Sequence, residues 1–191
     1  MCFRVVAALV VATAVIGAPT GVAVATSRPS STAGFAAMTS RTPAGGSVKM
    51  FVTPGNGAAA TILITGAIGD YGKTLTIDKN GKTDSNGNYV KMTLQKGTIE
   101  LNSSTLNAKA NSSRPTLYKA TCSAQLSVTG PVTPFNGTGL YKGITGTLNI
   151  TETYAFIAPL STSGENKGQC NLSAQPISQY SSITGSGTVS F

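Results

Sequence analysis

Histidine is absent from all 191 residues, which excludes Ser-His-Asp and Cys-His mechanisms and any imidazole-bound metal centre. Acid is scarce too: six Asp and Glu stand against 14 Lys and Arg. Any proton-transfer chemistry would fall to those few carboxylates and to the tyrosines. Cysteine is limited to three residues, no amphipathic helical stripe of useful length appears, and no metal-ligand cluster or cofactor motif is complete. The sequence therefore implies no metal and no cofactor.

Residues 1–25 place Arg4 ahead of an Ala/Val-rich run that ends in Ala23-Val24-Ala25. This is the pattern of a secretory signal peptide cut after Ala25. Gly17, Pro19 and Gly21 interrupt the run before it reaches the roughly 20 apolar residues of a membrane span, so no stable membrane insertion is expected after cleavage. The expected location is secreted or extracellular. Cys2 leaves with the leader, and Cys122 and Cys170 remain for a single disulfide. Closing the stretch between them would stabilise the fold by about 4 kcal/mol in the chain-entropy model.

Loss of the leader removes one arginine and leaves a net charge of +7. Such a charge suits anionic surfaces or nucleic acid. The lysines, however, are spread singly along the chain, without an Arg cluster or interleaved aromatics, so no nucleic-acid site is expected and the charge reads as solubility.

Residues 26–46 are small, polar and without period, as in a flexible lead. Residues 47–191 have the length of one domain. Short apolar alternations separated by turn clusters predict strands near 47–53, 60–66, 73–78, 88–95, 97–103, 117–129, 146–157, 168–175 and 183–191, the pattern of an all-β sandwich or barrel. Residues 102–116 are predicted to be a Ser/Asn-rich loop over one end. Ala67–Thr74 matches a permissive phosphate-loop pattern, but its continuation is a strand rather than a helix, so a glycine hairpin is expected. Asp78–Asn88 is rich in oxygen donors yet lacks calcium-loop spacing and reads as a hairpin tip. Sequons begin at Asn102, Asn111, Asn136, Asn149 and Asn171, and they matter only if the export route glycosylates.

The most informative stretch is Gly137–Phe156. Four glycines at 137, 139, 143 and 146 precede an alternating run in which Leu148, Ile150, Tyr154 and Phe156 share one parity, as in a strand with one dry face. Glu152 breaks the pattern on the apolar side, where an ionised carboxylate is costly. Its burial would raise its pKa and suit it to general acid or base work beside Tyr154. A structural carboxylate satisfied by amides or a lysine is the competing account of the same residue.

The arrangement Gly137-Thr138-Gly139, Tyr141-Lys142-Gly143-Ile144, Gly146 resembles the hairpin that precedes a long barrel strand in the allene oxide cyclase and dirigent-protein superfamily. The resemblance implies a single antiparallel eight-stranded, calycin-like β-barrel. It also implies an apolar interior able to hold a hydrophobic small molecule. In cyclases of this kind a carboxylate and a bound water steer ring closure of a fatty-acid epoxide, and in dirigent proteins the cavity orients phenoxy radicals. The leading expectation is a non-catalytic binder of an apolar ligand in the barrel interior, with Tyr141 and Phe156 as ligand contacts. A cofactor-free isomerase using Glu152 and Tyr154 is the alternative, and a packed, ligand-free surface module is a third reading. Besides the small molecule, further copies of the chain are the expected partners.

Overall fold

A computed structural model describes residues 45–54 and 59–191. Residues 1–44, which include the stretch read as a leader and most of the stretch read as a flexible lead, lie outside these described residues. The strands are β1 (Gly46–Thr53), β2 (Ala59–Gly66), β3 (Asp70–Ile77), β4 (Tyr89–Leu94), β5 (Gly97–Asn102), β6 (Thr116–Tyr118), β7 (Ser123–Gly137), β8 (Thr145–Ile157) and β9 (Ser178–Ser190), with one α-helix, α1 (Ser104–Ser112). Strands β1 to β5 and β7 to β9 pair with their chain neighbours, β9 pairs with β1 and β5 with β7, and this closes an eight-stranded antiparallel barrel. The short β6 pairs with the beginning of β7 alone. Among the described residues no helix is long and apolar enough to cross a membrane.

Side chains fill the barrel. Ile62 and Ile99 have no exposed surface and Val48, Met50, Ile64, Met92, Val132, Leu148 and Ile150 are buried with them. Contact at the wall is tight enough that a Cβ on Gly185 would lie 2.3 Å from Ile150 Cδ1. Glycine there leaves room for the isoleucine opposite, which is how a narrow barrel accommodates large residues.

The closed end carries the turns after β2, β4 and β7. Tyr141, in the β7–β8 connection, has 0% exposure and donates a 2.5 Å hydrogen bond to the buried carboxylate of Asp70. Asp70 Oδ1 also accepts from the Tyr71 and Gln95 amides, and Oδ2 from the Lys96 amide. One side chain thus ties β3 to the β4–β5 turn and to the β7–β8 loop. The glycine hairpin makes the close approach possible: a Cβ on Gly137 would overlap the Tyr141 carbonyl oxygen at 1.9 Å, and Gly139 has φ +61°. Burial pushes the Asp70 pKa up, but the Tyr141 hydroxyl and the three amides outweigh it and hold the carboxyl below its usual range. Burial, then Asp70, raises the Tyr141 hydroxyl well above the ordinary phenol value.

Three expectations for the chain's course are corrected. Residues 104–112 are helical rather than loop. Their pattern hid this because Leu106 is the one buried residue of the helix, so no stripe exists to read. The helix is held from outside. It stands over the part of β7 between its β6 partners, Ser123–Gln125, and its β5 partners, from Thr133 onward. Leu106 Cδ1 lies 3.1 Å from the Cβ position of Gly130, and Lys109 Nζ donates to the Thr129 carbonyl at 2.7 Å. Leu106 joins the barrel core against the inner face of β7, and Lys109 occupies one carbonyl of its unpaired part. Residues 168–175 are turns with one isolated bridge, Leu160 to Cys170, and β9 instead begins at Ser178. The predicted strand of 117–129 is divided by a turn at Cys122, which has φ +50°. The hairpin readings agree with the structure: Asp78 Oδ1 accepts from the Asn80 and Lys82 amides and Asp84 Oδ1 from Asn86, as turns require.

Cys122 and Cys170 form a disulfide across a separation of 48 residues. It fastens the long β8–β9 connection to the start of β7. Replacing both cysteines by alanine is expected to lower stability by about 2–4 kcal/mol in urea unfolding. Tyr141→Phe should cost about 1–3 kcal/mol, because it strips a charge-assisted bond from a buried carboxylate. The pH course gives a second check. A carboxyl whose folded pKa is depressed adds stability above its unfolded pKa, near 4, and that stability fades as pH falls through the folded value. Tyr141→Phe should therefore flatten the acid limb of the stability profile, and an unchanged limb would contradict this role.

Candidate functional site at the open end

The strands are not equal. β7 has 15 residues and β8 and β9 have 13 each, whereas β1 to β5 have six to eight. β1 pairs with β9 from Ile183 to Val189, leaving Ser178–Ser182 paired with β8 alone. The beginnings of β7 and β9 and the end of β8 consequently overhang the barrel as a three-stranded flap.

The inner face of this overhang carries the residues singled out by parity. Glu152 lies between Val128 of β7 and Ile183 of β9, Tyr154 between Leu126 and Ser181, and Phe156 between Ala124 and Gln179. Tyr154 donates to Gln179 Oε1 at 2.9 Å, and its ring centroid is 5.6 Å from that of Phe156. Glu152 is half-buried, and desolvation raises its pKa; among the described residues no hydrogen bond or opposite charge offsets it. Desolvation raises the Tyr154 hydroxyl as well. Glu152, Tyr154 and Phe156 are therefore neighbours on one face, and a protonatable carboxyl sits just beyond the packed core.

Tyr141 does not join them. It is in the closed-end core, at the other end of β8, with its hydroxyl occupied by Asp70. Glu100, on the outer face, accepts from Asn136 Nδ2 at 3.0 Å.

The overhang forms a groove of about 330 Å³ lined by Tyr118, Gln125, Ala155, Ile157 and Tyr180 of the outer rows together with Ala124, Gln179 and Phe156, one of the ligand contacts expected from the sequence. Its shape follows from register. One row reads Thr116, Gln125, Ala155, Tyr180 across β6 to β9, and the next reads Tyr118, Ser123, Ile157, Ser178. The short side chains of Ala155 and Ser123 lie between two tyrosines that are each more than half exposed. Tyr118 and Tyr180 stand three inter-strand steps apart and in adjacent rows, roughly 16 Å from each other. A second hollow of about 480 Å³, lined by Arg114, Tyr118 and Leu126 among others, adjoins it along β6.

Sequence reasoning passed over Tyr118 and Tyr180, since neither belongs to an apolar alternation. The available signal was the opposite one: Tyr180 is an isolated aromatic between Gln179 and Ser181, a residue with nothing local to pack against. Comparison with protein-family models, with curated proteins and with solved structures finds no match to this chain.

Glu152 supplies a test of the inner face. A group whose folded pKa is raised contributes stability that is present below its unfolded pKa and lost as pH rises through the folded value. Glu152→Gln removes the ionisation. The variant should be more stable than the parent at neutral pH, and the difference should shrink as the solution is acidified. Urea midpoints measured from neutral to acid pH check both the sign and the trend.

Proposed function

We propose that the protein is an exported binding module, a disulfide-bonded barrel that holds a small apolar ligand in its open-end groove without catalysis. The carrying observation is the contrast between a barrel interior lined by buried apolar side chains and a tyrosine-walled groove on the overhang. Tyr118 and Tyr180 supply flat apolar faces with polar tips, Ala155 leaves room between them, and the Gln125 amide can orient a polar substituent. The disulfide and the leader at residues 1–25 support export. Membership of the allene oxide cyclase and dirigent-like superfamily is part of this proposal. It rests on the closed eight-stranded barrel and on the role of the glycine hairpin in seating Tyr141.

A second reading is favoured by one observation, the Glu152 carboxyl on an apolar face beside Tyr154, without a partner among the described residues. It makes the inner face a proton-transfer site of a cofactor-free isomerase. Glu152→Gln separates the readings: an isomerase loses turnover while retaining its ligand, and a binding module loses neither.

The groove reading is tested by titrating the protein with a panel of phenolics and oxygenated fatty acids, observed by thermal shift and by NMR. Tyr180→Ala and Tyr118→Ala are each expected to weaken a bound compound by about tenfold, from the loss of one aromatic contact. Undiminished affinity in both variants would remove the groove from the account.

A further inference from the structure

The outer face of β1, β2 and β3 differs from that of β7, β8 and β9 at the same level of the barrel. The outward residues of β7, β8 and β9 are mostly Ser and Thr, as in the facing pairs Thr129 with Thr151 and Thr151 with Thr184. Across β1 to β3 the same level holds Phe51, Leu63 and Tyr71, paired directly with one another and 46%, 50% and 58% exposed. Three large apolar residues in contact across adjacent strands form a continuous ridge rather than scattered exposure.

Lysines frame the ridge. Lys49 lies one outward position before Phe51 on β1, facing Thr65 and Ser186, and Lys73 one outward position beyond Tyr71 on β3, facing Thr61 and Thr93. Lys96 reaches the Tyr71 end, where its Nζ donates to the Gly69 carbonyl at 3.0 Å. None of the cross-strand neighbours of Lys49 or Lys73 is acidic. Asp70, next to Tyr71 in sequence, points into the closed end and is consumed by four hydrogen bonds there. A ridge of Phe, Leu and Tyr with cations on both flanks and no facing carboxylate has the chemistry of a peripheral membrane contact. The apolar tips enter the headgroup boundary, tyrosine stays at that level, and the ammonium groups meet phosphates.

We propose that the β1–β2–β3 face docks reversibly on an anionic lipid bilayer. Placement on the barrel wall leaves the overhang and its groove free. The proposal is independent of the ligand reading, because no residue is shared.

The test is co-sedimentation of the full exported chain with vesicles of phosphatidylcholine alone and of phosphatidylcholine mixed with phosphatidylglycerol. Binding is expected to the mixed vesicles only, and to weaken as salt is raised. Phe51→Ser with Leu63→Ser, and separately Lys49→Gln with Lys73→Gln, should each lower the partition coefficient by about tenfold or more. Lys79→Gln with Lys82→Gln removes the same charge from the 78–88 hairpin and should leave most of the binding intact. Circular dichroism confirms folding of each variant, which is expected because all six side chains are exposed. Equal losses from the two lysine pairs would reduce the effect to net charge and overturn the proposal. So would full binding by Phe51→Ser with Leu63→Ser, or no binding to either vesicle. Competition by soluble polyphosphate that abolishes binding of the parent and the Phe51/Leu63 variant alike would assign the contact to phosphate alone, which also overturns it.

Discussion

Three strands of 13 to 15 residues cannot be paired along their whole length by five strands of six to eight. This mismatch determines the shape of the molecule. Within the shared length, β1 to β5 and β7 to β9 close on each other and every strand gains two neighbours, which removes free edges. Beyond it, β7, β8 and β9 continue as an overhang with two accessible faces, and they need support that a barrel strand does not. The helix α1 covers the unpaired part of β7, β6 extends the sheet at its edge, and the disulfide fastens the connection above.

The two ends are consequently built on different principles. At the closed end a charge is buried and fully answered: Asp70 receives a phenol and three amides, and the arrangement fixes three connections at once. At the open end a carboxyl is half-buried and has no partner among the described residues. Glu152 lies between Val128 and Ile183, and desolvation alone sets its titration. A satisfied carboxylate rigidifies its surroundings, whereas an unsatisfied one is available to a proton or a ligand. The barrel between them separates the two.

Much of the architecture was legible because period-2 alternation survives wherever one face is packed. The runs at Ile62–Ile64, Met92–Leu94 and Leu148–Ile150 gave strands with the correct inward residues, and the break at Glu152 marked the end of the core. What was not legible depended on contacts distant in sequence. Asp70 opens β3 directly after a glycine-containing turn and meets Tyr141 across 71 residues, so nothing local announces it. Helix α1 has a single buried side chain and is held by β7. The first residues of β9 alternate Ser, Gln and Tyr because neither face is buried, and the groove between Tyr118 and Tyr180 exists only through cross-strand register.

The account places binding on the outside of a packed barrel, and methyl NMR under xenon pressure tests that placement most directly. Xenon enters dry apolar voids that hold no side chain. The account predicts no saturable shifts for Ile62, Ile64, Ile99 or Met92, with any response confined to the overhang near Leu126 and Ile157. Saturable shifts at Ile62 and Ile99 would reveal an internal cavity and return the ligand site to the barrel interior.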